Sequence, residues 1–448
     1  MKSFPATATA WLLALLVLVS CQTTPQSTAG PTGPSNFEKG SGVFGGKRIS
    51  AYYSSSNVYK KDYQVADIPA ANLTHIFYAF MKIDPATKTI ALYDENADIV
   101  KKTGNEPAGL GYRGSFAQLY LLKQKNPQLH LIASVGGGTQ SDQFSDMAAS
   151  AKTRKAFADS VVVFLKKYSF DGVDLDWEFP VEGGGANVVH SPKDKANLTL
   201  LLSALRTALD ASSKADSRTP YELGLTVSPN PAYGKNLEIG AIAKLVDFLN
   251  LMTYDYHGAW DDTTNHLAPL YADPESPEYR WPSGRKLNVD GAVQYYLENG
   301  VPAAKLNVGI PMYGVAWQVP AASPKGLFVK EAAGAQIDKS VKTGIVDYAS
   351  VQQLVAKGLH PFWDEASHAS YLWDKDSGLF VSYDDNRSTL DKLDYVIERK
   401  LGGVMFWELS QDRGGDLLNL TAWSLKRQVL KALGPDVNPA PTVTTPKP

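Results

Sequence analysis

Phe170-Asp171-Gly172-Val173-Asp174-Leu175-Asp176-Trp177-Glu178 alternates acidic and apolar residues at the two-residue period of a β-strand. In an extended chain Asp174, Asp176 and Glu178 share one face, and Val173, Leu175 and Trp177 share the other. Three carboxylates on one face repel each other and are costly to bury, so a strand that serves only the fold does not select them. A solvent-facing antiparallel edge would tolerate the pattern, but the acidic run lies among apolar segments that read as buried parallel strands.

Eight such runs are separated by helical stretches: Arg48 to Tyr53, Thr74 to Met81, Leu129 to Val135, Gly172 to Glu178, Glu222 to Ser228, Phe248 to Thr253, Leu306 to Met312 and Gly403 to Trp407. Eight strands with intervening helices predict a (β/α)8, or TIM, barrel of class α/β. The stretches after Asp142, from Thr153 to Lys167 and from Lys193 to Leu209 carry the spaced apolar positions of the covering helices. Catalytic groups of such barrels lie at the carboxyl ends of strands, and Glu178 closes its strand just before Phe179-Pro180. The interval from Gln318 to about Lys400 is too long for one βα unit, and is rich in aromatics and strand formers. Residues 319–385 are therefore expected to form a small α+β insertion between the seventh and eighth strands, walling a groove.

With 448 residues and 44% hydrophobic content the chain can bury a large core, and the catalytic region is placed at residues 47–433. A net charge of -2 gives no long-range pull on nucleic acid or an anionic membrane, so a neutral polymer is the better partner. The nine tryptophans are more than such a core needs, and sugars are gripped by stacking on aromatic rings. Cys21 is the sole cysteine, which rules out an intramolecular disulfide. Lys2 precedes an apolar run from Ala6 to Val19, too short to span a membrane comfortably, and Leu18-Val19-Ser20-Cys21 resembles a bacterial lipobox. Residues 1–20 are accordingly expected to be a signal peptide, Cys21 the lipidated residue and 21–46 a flexible tether. The product would be an exported protein, an outer-membrane lipoprotein or secreted, touching membrane only through its anchor. An ordinary cleaved signal with a coincidental cysteine is the alternative. Residues 434–448, repeating Pro and Thr, are expected to be disordered.

Further motifs recur at the predicted strand ends: Ser134-Val135-Gly136-Gly137, Met252-Thr253-Tyr254-Asp255-Tyr256-His257-Gly258-Ala259-Trp260 and Gly309-Ile310-Pro311-Met312-Tyr313-Gly314-Val315-Ala316-Trp317. Together with the acidic string and Ser382-Tyr383-Asp384-Asp385, they resemble family 18 glycoside hydrolases, the chitinases. One departure is Val315, which stands where the family usually has arginine. The resemblance implies Glu178 as acid, Asp176 holding the acetamido N–H, Asp174 tuning Asp176, and Tyr254 donating to the acetamido carbonyl. It further implies substrate contact by Tyr52, Ser134, Gly136, Gly137, Trp177, Met252, Asp255, Trp260, Tyr313 and Trp407. Trp407 is expected as the apolar floor, while Trp260, Trp317 and Trp373 are weaker candidates for neighbouring sugar subsites.

Glycoside hydrolysis ordinarily needs a second carboxylate across the ring. Asp174 and Asp176 project from the same side as Glu178, and no other acidic residue stands out. The family's substrate-assisted variant, in which the 2-acetamido carbonyl attacks the anomeric carbon, resolves this. Asp171, of opposite parity, is expected to be structural. Seven scattered histidines show no zinc spacing, and the glycines form no phosphate cradle, so neither metal nor nucleotide cofactor is expected. The predicted activity is a chitinase, a monomer acting on chitin or chito-oligosaccharides with retention of configuration. An endo-β-N-acetylglucosaminidase of N-glycans and a non-catalytic chitin-binding lectin are the alternatives; the lectin is disfavoured because Glu178 is present.

Overall fold

The computed structural model describes residues 44–320, 323, 325–337 and 344–433. The signal segment, Cys21, most of the tether and the 434–448 tail lie outside the described residues. The barrel is built from β1 (Arg48–Ser54), β2 (His75–Ile83), β4 (His130–Gly136), β5 (Gly172–Asp176), β6 (Glu222–Val227), β7 (Phe248–Leu251), β8 (Leu306–Pro311) and β15 (Gly403–Trp407), with β3 (Ile90–Leu92) antiparallel on β2. Each barrel strand pairs in parallel with the next, and β15 pairs with both β8 and β1 to close the ring. All eight predicted runs are strands. The acidic strand is two residues shorter than expected, so Trp177 and Glu178 begin the loop at its carboxyl end.

Strand parity sorts the side chains into two layers. On β5, Asp174 and Asp176 point into the barrel, whereas Val173 and Leu175 pack outward with the following Trp177 against the helices. The helix Ala151–Tyr168 shows how that outer layer is specified. Ser150 caps its start by accepting from the Thr153 N–H at 3.1 Å, and Ser169 ends it in the left-handed conformation. Phe157, Val161, Phe164, Leu165 and Tyr168 form its buried stripe. Helix Asp194–Ala215 contributes Leu198, Leu201, Leu202, Leu205 and Leu209 in the same manner.

A second sheet occupies the interval between β8 and β15. It joins β9 (Tyr313–Gln318), β10 (Ala333–Gly334), β11 (Ile345–Asp347), β12 (Pro361–Asp364), β13 (Ala369–Asp374) and β14 (Leu379–Tyr383), all antiparallel, with a helix at Tyr348–Ala356. Its first strand begins at Tyr313, six residues before the expected boundary at 319. The apolar run continues unbroken from the barrel into the new sheet, and buried Met312 turns the chain between them, donating its N–H to Trp407 O at 2.7 Å. Trp317, a candidate sugar platform, is instead fully buried in this sheet and donates Nε1–H to Asp261 O at 3.2 Å. Val315 is buried in the same strand.

Candidate active site

The floor of the site is a hydrogen-bonded carboxylate. Asp174 Oδ2 accepts from Ser134 Oγ at 2.8 Å, Tyr52 OH at 3.0 Å and Thr226 Oγ1 at 3.1 Å, so β1, β4, β5 and β6 are tied together inside the barrel. Burial pushes the Asp174 carboxyl up to about 6, and these three donors limit the rise. Behind Thr226, Asn250 donates to its hydroxyl at 3.4 Å and Asn307 donates to Asn250 at 2.9 Å.

One step nearer the mouth, Asp176 is buried and its Oδ1 makes no hydrogen bond. Burial, then the charges of Glu178 and Asp174, hold its pKa well above the ordinary carboxylate value. Glu178 follows at the strand end, held by its backbone N–H donating to Ser141 Oγ at 3.0 Å. Burial and the neighbouring Asp255 raise the Glu178 carboxyl to about 7. The pair therefore retains a proton near neutrality, as a general acid must.

Gly136 and Gly137 let β4 lie against this end of β5. At Gly136 (φ +110°) a β-carbon would stand 2.3 Å from Asp176 O, and at Gly137 (φ +77°) it would stand 2.5 Å from the Phe80 ring. Their part in the site is this close approach, with Gly137 N donating to Asp176 O at 2.7 Å.

Tyr254, past the end of β7, is buried, and its hydroxyl has only a long contact to Met405 Sδ at 3.9 Å. Burial and the charge of Asp176 keep the phenol protonated and able to donate. Asp255 adopts a left-handed backbone (φ 56°) and accepts from Tyr313 OH at 2.5 Å, so the second sheet fixes a barrel-end carboxylate. The apolar wall is Trp407, stacked on Phe80 (5.7 Å, 22°) and tilted against Tyr52 (5.2 Å, 56°). Met252 packs half-buried against the same interior cluster.

One expected contact lies elsewhere. Trp177 has the parity opposite to the carboxylates and stacks on Phe144 at 5.1 Å in the strand–helix layer, away from the barrel interior. Trp260, a candidate for a neighbouring sugar subsite, is 58% exposed on the loop after Asp255. Trp373 is half-buried against the second sheet's own aromatics. Asp171 is structural, as its parity predicts: its carboxylate accepts from Leu131 N at 2.8 Å. Three residues of the site escaped the sequence reading. Thr226 had a readable signal, since Glu222, Gly224 and Thr226 share the inward parity of β6. Phe80 and Ser141 had none.

A family model described as glycosyl hydrolases family 18 matches residues 48–412. The chain belongs to glycosyl hydrolase family 18. Among its family relatives, chitinase A1 of Niallia circulans is 38% identical over 403 residues, covering 83% of this chain and 57% of that protein. Endochitinase 1 of Metarhizium robertsii is 34% identical over 375 residues, 83% of either chain. In solved structures, chitinase ChiA74 from Bacillus thuringiensis superposes with a TM-score of 0.78 at 35% identity, over 88% of this chain and 71% of that one. The catalytic domain of chitinase B from Arthrobacter TAD20 gives the same TM-score, 0.78, at 30% identity, over 86% and 97%. This family 18 chain thus places its acidic string where its barrel opens.

Proposed function

We propose that this family 18 protein is a chitinase that hydrolyses β-1,4 links between N-acetylglucosamine units, in polymers or oligomers, with retention of configuration. Glu178 donates its proton to the glycosidic oxygen while the substrate's own acetamido carbonyl attacks the anomeric carbon, forming an oxazolinium ion. Water then opens that ion, with Glu178 as base. Tyr254 donates to the acetamido carbonyl, and Asp176 accepts the acetamido N–H and stabilises the positive charge that develops there. Asp174 supports Asp176, and Trp407 underlies the sugar.

The observation that carries this reading is the one-sided stack Asp174, Asp176 and Glu178, with the buried and unbonded Asp176 Oδ1 beside a protonated Tyr254. An unpaired buried carboxylate oxygen is costly unless a ligand supplies its donor, and an acetamide N–H is such a donor. A thiazoline analogue of N-acetylglucosamine, which mimics the cyclised intermediate, is expected to inhibit competitively. Proton NMR of fresh product should show the β-anomer first. Failure of the analogue to bind, or initial release of the α-anomer, would remove the acetamido mechanism.

Activity is expected to fall as pH rises through about 7, where Glu178 loses the proton it must donate. Asp255→Asn removes the second cause of that elevation. It should therefore move the alkaline limb of kcat/KM to lower pH, apart from any loss of rate. An unmoved limb would show that Asp255 does not act on Glu178.

We further propose that the chain works as a monomer exported by its amino-terminal segment and anchored through lipid on Cys21. No helix among the described residues is long and apolar enough to cross a membrane. Metabolic labelling with a fatty acid, lost in Cys21→Ser, tests the anchor.

A further inference from the structure

Three side chains converge at the amino-terminal mouth of the barrel, the end opposite Glu178. His75 opens β2, His130 opens β4 and Glu222 opens β6. His75 and His130 are register partners, and Gly172 of the intervening β5 is the partner of Glu222. A β-carbon on Gly172 would stand 2.9 Å from that of Glu222, so the bare backbone leaves the space in which Glu222 reaches toward the histidines. His75 Nε2 lies 3.1 Å from Glu222 Oε2, and His130 Nδ1 is hydrogen-bonded to Glu222 Oε1. One ligand atom from each residue lies within 4.8 Å of the others, and the imidazole centroids are 4.9 Å apart.

We propose that His75, His130 and Glu222 bind one divalent transition-metal ion, with zinc the fitting choice, clamping β2, β4 and β6 at the end of the barrel remote from the chemistry. Two imidazole nitrogens and one carboxylate are a set of three protein ligands that zinc accepts, whereas calcium and magnesium call for oxygen ligands. The support expected behind a ligating histidine is in place. Thr74 Oγ1 lies 2.8 Å from His75 Nδ1 and 3.0 Å from Ile49 O. The hydroxyl can accept the Nδ1 proton while giving its own to that carbonyl, which turns the Nε2 lone pair toward Glu222. His130 and Glu222 side chains are 21% and 13% exposed, so an ion can enter from solvent and displace the proton that now joins them. Arg48 and Lys123 add positive charge nearby, and Asp171 and Asp247 counter it. Local spacing in the sequence is blind to this cluster, because Glu222 stands 92 residues from His130 and 147 from His75.

The experiment is calorimetric titration of the chelator-treated full chain with zinc chloride, repeated with cobalt(II) while the visible spectrum is recorded. One ion per chain is expected, with cobalt bands characteristic of a site of mixed nitrogen and oxygen ligands. His130→Gln and Glu222→Gln should each weaken zinc by roughly 10–100-fold or more, while His190→Gln and His360→Gln, which alter exposed histidines, leave it unchanged. His130 is the partly exposed ligand, so its variant is the one expected to fold even if Glu222→Gln does not. A folded wild-type chain that takes up no zinc at millimolar concentration, or binding equal in wild type and His130→Gln, overturns the site. Chitin hydrolysis by His130→Gln is expected to persist, so failure of this site and failure of the chitinase reading are separately visible.

Discussion

Glu178→Gln is expected to lower kcat on chito-oligosaccharides by roughly 10²–10⁴-fold, the share a positioned general acid contributes. KM should change little, because the amide keeps the size of the side chain and the backbone N–H of residue 178 still donates to Ser141 Oγ. The loss should depend on the leaving group. A sugar alkoxide must be protonated as it departs, whereas an aryl glycoside with an acidic phenol needs far less help. The variant should therefore retain a larger fraction of its rate on a nitrophenyl glycoside than on a natural oligomer. Hydrolysis of chito-oligomers at an undiminished rate, or an equal loss on both substrates, would remove Glu178 from the acid role.

The barrel was legible because its strands are apolar runs of nearly unmixed character, which parallel strands covered on both sides require. The acidic strand was legible for the opposite reason, since alternation of Asp and Glu with Val and Leu has no use in a core. Parity carried that reading into the structure: Asp174 and Asp176 face the interior, and Val173 and Leu175 face the helices. Applied to Trp177, parity also assigns the ring to the helix side, where it stacks on Phe144. Other features depend on contacts that no local pattern encodes. Ser141 reaches Glu178 by the path of a loop, and Phe80, which by parity belongs with the outward Ile76 and Tyr78, joins the wall because the pairing of β2 with β4 shifts register between Ala79 and Met81. The boundary at Tyr313 was hidden because a strand of the barrel and a strand of the next sheet follow each other with one buried methionine between them. Trp317 illustrates a further limit: in composition a tryptophan that fills a core is indistinguishable from one that carries a sugar.

Asp176→Asn is expected to separate catalysis from stability. In the proposed mechanism the Asp176 carboxylate faces the positive charge of the oxazolinium ion, and removing one such preorganised group costs roughly 10²–10³-fold in kcat. The same carboxyl burdens the fold, because it is buried, one oxygen lacks a hydrogen bond, and Glu178 and Asp174 repel its charge. Its pKa in the folded chain lies above the unfolded value of about 4. Between those two values this carboxyl binds fewer protons in the unfolded chain than in the native one, so its contribution to stability falls as pH rises. The neutral asparagine escapes that loss. Thermal unfolding should therefore show little difference between wild type and variant below about pH 4, and a gap in the variant's favour at neutral pH of about 1 kcal/mol, typical of a relieved functional site. A variant that is inactive and also less stable at pH 7 would mean that Asp176 is a structural member of the barrel. Full activity in a more stable variant would mean that the oxazolinium charge is balanced by some other group.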